Sequence, residues 1–126
     1  MSNIPAKLNY TKTHEWVKKE NELLTIGITD HAQTMLGDLV YVELPEIEAS
    51  LDNGQECAVV ESVKAAADVY SPVACEVVEV NSDVIENPRL VNEDPYGRGW
   101  LIRVRPDFLN ALRLTKKQTL HGVDAI

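Results

Sequence analysis

Cysteine is scarce. The chain of 126 residues holds only Cys57 and Cys75, with no CxxC pair, which excludes a disulfide-stapled secreted scaffold and a four-cysteine zinc site. Two unpatterned cysteines read as reduced thiols in a cytosol-like compartment, so a cytoplasmic location is expected. Long hydrophobic runs are also missing. No window approaches roughly 18 uninterrupted apolar residues, and no membrane-spanning helix is expected. Met1 to Tyr10 offers Lys7 but no apolar core and no Arg/Ser richness, so neither a secretory nor an organelle-import signal is read there. His14, His31 and His121 lack metal-like spacing, and no metal is expected. Cations are in deficit: Lys plus Arg number 12 against 20 Asp plus Glu, a net charge of −8. Such a surface repels phosphate backbones and anionic membranes, so neither is an expected partner. It suits basic patches on protein partners.

What is present is an ordinary globular composition, 44% apolar and 25% charged, which excludes a disordered tail, a collagen-like chain or a coiled coil. The length fits a single domain over 1–126, with a core from about 10 to about 112 and a loosely docked tail from about 113 to 126. Short β-type runs recur between turn signals: Leu23–Ile28, Leu39–Leu44 before Pro45, Glu56–Glu61 after Asp52-Asn53-Gly54, Asp68–Tyr70 before Ser71-Pro72, Glu76–Val80 before Asn81, and Trp100–Arg105. In the last run Trp100, Ile102 and Val104 share one face. This spacing points to a sandwich or barrel. Two short helices fit the gaps. One has its N-cap at Thr29-Asp30, Ala32, Met35 and Leu36 at helical spacing, and a stop at Gly37. The other starts near Pro106-Asp107, with Phe108, Leu109 and Leu112 on one face. Gly37–Leu44 resembles Cys75–Asn81, and each is followed by an irregular Pro-containing stretch and a further strand. This is the pattern of a duplicated β-unit with Lys64 between the copies.

The segment Glu61-Ser62-Val63-Lys64-Ala65-Ala66-Ala67-Asp68 lies between two strand-like runs. Its simplest structure is a hairpin with Lys64 at the tip. No Gly or Asn-Gly pair is present, so the turn is not of the primed kind. A catalytic lysine needs burial or a nearby cation, whereas the near charges here are Glu61 and Asp68. The setting suits a target that another enzyme must find and acylate. Taken alone, it suits better still a solvated turn lysine, which is what most exposed lysines are, and a non-catalytic β-sandwich binding module is a further reading. A biotin carrier is disfavoured, because Val63 and Ala65 flank the lysine where biotinylated lysines lie between methionines.

The stretch Val60-Glu61-Ser62-Val63-Lys64-Ala65-Ala66 resembles the lipoylation site of the glycine cleavage H-protein family. Further blocks follow in family order, from about Tyr10 to Val104: His14-Glu15-Trp16-Val17, Ile26–Gln33, Leu36-Gly37-Asp38, Val42-Glu43-Leu44-Pro45, Tyr70–Val73, Glu76–Asn81, Asn92–Tyr96 and Gly99-Trp100-Leu101. The resemblance implies a mainly β fold of the lipoyl/biotinyl-carrier type. That is a flattened barrel (barrel-sandwich hybrid) of two small sheets, with short helices and a C-terminal helix. It also implies a non-catalytic carrier, taken to be a monomer, with lipoic acid in amide linkage on Lys64. The partners implied are the pyridoxal-phosphate-dependent glycine decarboxylase, the aminomethyltransferase, dihydrolipoyl dehydrogenase and a lipoyl-attaching enzyme. An H-like carrier that relays lipoyl groups to other proteins is the alternative within the same fold. The loaded arm of the family rests in a surface cleft, for which Glu15, Asp68 and Thr13 are the candidate residues. Two departures stand out. Cys75 and Glu48 occupy positions where the family commonly has Gly, and a left-handed backbone at Cys75 would cost about 1 kcal/mol.

Overall fold

The computed structural model describes residues 8–107. The second predicted helix, with Phe108, Leu109 and Leu112, lies outside the described residues, as does the tail. Pro106 itself belongs to a strand and pairs with Cys75.

Among the described residues nine strands and three short helices follow one another: β1 Asn9–Tyr10, β2 Glu15–Glu20, β3 Leu23–Ile28, α1 Asp30–Leu36, β4 Leu39–Glu43, β5 Ser50–Leu51, β6 Glu56–Ser62, β7 Ala66–Tyr70, β8 Cys75–Val80, α2 Ser82–Glu86, α3 Arg89–Glu93 and β9 Ile102–Pro106. They form two antiparallel sheets. One has six strands in the order β1-β2-β3-β9-β8-β5, and the other has three in the order β4-β6-β7. The sheets do not close into a continuous barrel, but one core joins them. Val17, Leu24, Ile26, Val77, Ile102 and Val104 of the larger sheet share a buried cluster with Leu39, Val42, Val60 and Val69 of the smaller. Alternation decides which side chains enter it. Val42, paired with Val60, points inward, while the neighbouring pairs Tyr41–Glu61 and Glu43–Val59 face outward.

The strands read from the sequence are present, with boundaries shifted by a residue or two. The reading missed β1 and β5, two residues each, and β2, whose alternation Lys18, Lys19 and Glu20 hide behind a polar, exposed end. It also missed α2 and α3, five residues each and too short to show a helical period. The two similar segments form equivalent antiparallel pairs in different sheets, β4 with β6 and β8 with β9. They differ in what joins the pair: β5 in the first, α2 and α3 in the second.

The first helix forms as its residues dictate. Thr29 Oγ1 accepts the Ala32 N–H at 3.1 Å, and Gly37 ends the helix at φ +86°, a conformation that a side chain would strain. Asn92 of α3 then secures the passage into β4. Its amide donates to the Gly37 carbonyl at 2.9 Å and to Gln33 Oε1 at 2.9 Å, and its Oδ1 accepts the Leu39 N–H at 2.8 Å. Gly27 serves a different need. It faces Trp16 across the strands, and a Cβ there would fall 2.6 Å from the indole ring. The indole is buried and donates to the Pro95 carbonyl at 2.9 Å.

Of the two positions where the family commonly has Gly, only one needs it. Cys75 lies in β8, paired with Leu51 and Pro106, and has no positive φ, so the expected strain there is absent. Glu48 sits at φ +78° and bears the strain instead. Glu48→Gly should therefore raise stability by about 1 kcal/mol, an upward shift of roughly 4 °C in the thermal midpoint by calorimetry.

Cys57 and Cys75 are free and buried. Burial pushes the Cys57 thiol up to about 12, helped by Glu15 and Cys75. Burial pushes Cys75 up to about 11, against a lowering hydrogen bond with Ser71. The unfolded chain would ionise its thiols near 9.0, before the folded chain does. Stability should thus be insensitive to these thiols below about pH 9 and fall as pH rises from there towards the folded values. Brief iodoacetamide treatment at pH 8 should leave the native protein unmodified and add two groups after denaturation. Rapid labelling of the native form, read by intact mass, would contradict this burial.

Candidate functional site

β6 and β7 form a hairpin whose last ladder pair is Glu61 with Ala66. The turn is closed by the Ser62 N–H donating to the Ala65 carbonyl at 2.7 Å. The Ser62 hydroxyl organises the tip from within. It donates to the same carbonyl at 3.2 Å and accepts the backbone N–H groups of Ala65 at 3.1 Å and Lys64 at 3.3 Å. Serine at this position does what its short hydroxyl does well, substituting for a backbone acceptor in a tight turn. Neither Val63 nor Lys64 has a positive φ, so the turn is not of the primed type, as the residues predicted.

Lys64 is exposed at the tip, beside Val63, which is 89% exposed. Among the described residues Lys64 has no salt-bridge partner. Its aliphatic stem leans towards the end of α1, where a Cβ on Gly37 would lie 3.8 Å from Lys64 Cε. The outward face of the small sheet runs back from this tip. Tyr41, Glu61 and Ala66 form one cross-strand row, and Glu43, Val59 and Asp68 form the next. Three carboxylates therefore share this face. Glu43 chiefly, with Glu61 as a further neighbour, pushes the Tyr41 hydroxyl above its ordinary value.

A cavity of about 300 Å³ opens farther along β7, lined by Thr11, Lys12, Thr13, Glu15, Tyr70 and Pro72 among others. Its acid is Glu15, the first residue of β2, which is 1% exposed. Buried carboxylates need donors, and this one has three. The hydroxyls of Thr11 and Thr13 donate to Oε1, the latter at 2.5 Å. The Tyr70 N–H donates to Oε2 at 3.1 Å. The preceding residue, His14, takes a left-handed turn at φ +69°, and its carbonyl accepts the Thr29 N–H at 2.9 Å, which ties the turn to the start of α1. Its ring lies 4.7 Å from that of His31.

Two of the three expected cleft residues, Glu15 and Thr13, thus come together in the cavity wall. Asp68 does not line the cavity. It stands exposed on β7 between Lys64 and Tyr70, on the same strand face as Tyr70. From Ala66 to Tyr70 the strand covers about 13 Å at roughly 3.3 Å per residue. Sequence reasoning missed Thr11, Ser62 and Tyr70. Thr11 is buried and hydrogen-bonded to Glu15 four residues on, a contact that depends on the left-handed turn at His14. No residue type in that stretch announces such a turn.

The model of the Glycine cleavage H-protein family matches residues 8–122. A glycine cleavage system H protein of Edwardsiella ictaluri is 56% identical over 108 residues, covering 85% of this chain and 84% of that protein. One of Rubrobacter xylanophilus is 55% identical over 114 residues, covering 87% and 90%. The crystal structure of a glycine cleavage system H protein from Mycobacterium marinum superposes with a TM-score of 0.79 at 33% identity, covering 90% of this chain and 99% of that one. With the fold, the length and the sequence blocks all in agreement, this chain belongs to the glycine cleavage H-protein family.

Proposed function

We propose that this chain is the lipoyl carrier of the glycine cleavage system, with lipoic acid in amide linkage on Lys64. As such it shuttles the aminomethyl group of glycine from the pyridoxal-phosphate-dependent decarboxylase to the aminomethyltransferase. Dihydrolipoyl dehydrogenase and a lipoyl-attaching enzyme are the other partners, and the chain is itself a carrier rather than a catalyst. When bound, the lipoyl group supplies the disulfide that takes up the aminomethyl group and the dithiol that is later reoxidised.

The observation that carries this reading is the placement of Lys64. An amine without a salt-bridge partner among the described residues stands on the tip of a hairpin that Ser62 braces from inside. A modifying enzyme can reach it without unfolding anything. Small alanines at 65 and 66 keep the approach clear. A tethered group also gains effective concentration at any site its arm can span. The acidic outward face with Glu43, Glu61 and Asp68 suits partners that present lysines and arginines.

The rest of the chain shelters what the arm brings back. Glu15 offers a buried, oriented carboxylate to an ammonium group, and the cavity walls limit the access of water to it. Thr13 helps to hold that carboxylate. Asp68 offers a second negative charge along β7, between the lysine and the cavity. No helix among the described residues is long and apolar enough to cross a membrane.

Lys64→Arg should keep the fold and the charge yet abolish lipoylation, read as loss of the mass increment on incubation with a lipoyl-attaching enzyme. It should also abolish glycine–bicarbonate exchange with the decarboxylase. Normal exchange by this variant would refute the assignment of the lysine. A lipoylated wild-type protein that fails in exchange would instead favour the lipoyl-relay reading. Glu15→Gln keeps the shape and removes the charge. It should shorten the hydrolytic lifetime of the aminomethyl-loaded protein by about tenfold, the worth of one hydrogen bond to a charged group. An unchanged lifetime would remove the cavity from the account.

A further inference from the structure

Both oxygens of Glu15 are inside the protein, yet they are not equally occupied. A carboxylate oxygen accepts two hydrogen bonds in its plane. Oε1 receives two, from the hydroxyls of Thr11 and Thr13. Among the described residues Oε2 receives one, from the Tyr70 N–H at 3.1 Å. The acceptor site left open is therefore on Oε2.

The two threonines are not equivalent either. Thr13 is exposed, so water competes for its hydroxyl. Thr11 is 3% exposed. Its oxygen accepts the N–H of Glu15 at 3.0 Å, and this bond directs its own proton to Oε1 of the same residue. The backbones close the same loop. The Thr11 N–H donates to the Glu15 carbonyl at 3.0 Å, and the Thr11 carbonyl accepts the His14 N–H at 3.1 Å. Thr11 and Glu15 are thus clamped to each other through both main chain and side chain. The two hydroxyl oxygens lie 3.3 Å apart. Since each proton is committed to Oε1, neither threonine needs the other as an acceptor.

We propose that Thr11 is a positioning residue of the carrier: by saturating Oε1 from the buried side, its hydroxyl fixes the Glu15 carboxylate so that Oε2 presents its open acceptor site to an ammonium group in the cavity. This rests on the reading of the cavity as the resting place of the loaded arm. Without the Thr11 proton, Oε1 has a vacant acceptor site as well. The carboxylate then has two ways to meet a cation or a water, and one fixed geometry is lost. The role belongs to the hydroxyl and not to the methyl group, because only the hydroxyl both donates to and accepts from Glu15.

The test compares full-length Thr11→Val, Thr11→Ser, Glu15→Gln and wild type. Each is lipoylated, checked by intact mass, loaded by the decarboxylase with glycine, and followed for hydrolytic release of the aminomethyl group. Thr11→Val is nearly isosteric and should shorten the lifetime severalfold, towards that of Glu15→Gln. Thr11→Ser, which keeps the hydroxyl and deletes the methyl, should restore it. Two results would overturn the proposal. One is a wild-type lifetime in Thr11→Val while Glu15→Gln is short-lived. The other is equal loss in Thr11→Val and Thr11→Ser, which would make the methyl group the part that matters. If Glu15→Gln itself behaves as wild type, the resting-place reading fails first, and the proposal fails with it. Should Thr11→Val not fold, Thr11→Ser decides alone: a short lifetime refutes the hydroxyl role, and a wild-type lifetime upholds it.

Discussion

A charged carboxylate removed from water must recover its hydrogen bonds inside the protein, and much of this molecule's local architecture meets that requirement at Glu15. Its donors come from two places, the β1–β2 turn through Thr11 and Thr13 and the far end of β7 through the Tyr70 N–H, and the Thr29 N–H at the start of α1 holds that turn by donating to the His14 carbonyl. Tyr70 belongs to the small sheet, while Thr11 follows the edge strand β1 of the large one and Glu15 opens its neighbour β2. The carboxylate therefore links two sheets that share a core but do not close on each other. Removing one donor from a buried charge costs more than an ordinary hydrogen bond contributes, because the charge is then left under-solvated. The geometry of the cavity and the relative placement of the sheets are for that reason one problem.

Lys64 answers the opposite requirement. For the proposed lipoyl attachment its side chain must remain accessible, and its support comes from behind. Ser62 holds the turn, and Asn92 fixes the junction of α1 and β4, where Leu39 pairs with Ser62. The tip is hydrogen-bonded in backbone and exposed in side chain. A carrier gains from that combination: a fixed origin makes the volume searched by the arm small and repeatable, which raises its effective concentration at each stop. Along β7 the same strand then leads past Asp68 to the cavity. The hairpin tip and the cavity wall at Tyr70 thus share one strand, and their separation is set by strand length.

The sequence was informative wherever a single residue type determines the local outcome. Thr29 and Gly37 delimit α1 correctly because a side-chain acceptor and a left-handed stop are written in residue types. Alternation in Trp100–Arg105 identifies the buried face of β9, with Ile102 and Val104 inside. The absence of glycine around Lys64 correctly ruled out a primed turn. The failures have a common cause. β2 is paired over its whole length but buried only at Glu15, Trp16 and Val17, so its polarity pattern breaks halfway. Thr11 and Tyr70 reach the site through a turn at His14 and through a main-chain N–H, neither of which leaves a mark in side-chain pattern. Asp68 lies two residues before Tyr70 on β7, outside the cavity lining, a placement that its charge alone does not specify. Glu48 and Cys75 looked alike as replacements for glycine and prove unlike, because one occupies a left-handed turn and the other an extended strand.

The two thiols belong to the same logic. In the proposed role the chain bears a disulfide on a flexible arm and has reason to keep its own thiols away from it, since exchange begins with attack by a thiolate on a sulfur. Cys57 and Cys75 satisfy that condition twice. Both are buried, which denies access, and burial pushes both thiols well above their ordinary value, which denies the thiolate. Glu15 adds to the effect at Cys57, the residue whose ionisation its negative charge opposes. In the proposed role the same carboxylate meets an incoming ammonium group while it keeps a neighbouring sulfur neutral. The two effects share one origin, a fixed negative charge in a region of low polarisability: it favours a cation arriving in the cavity and disfavours a second anion forming beside it.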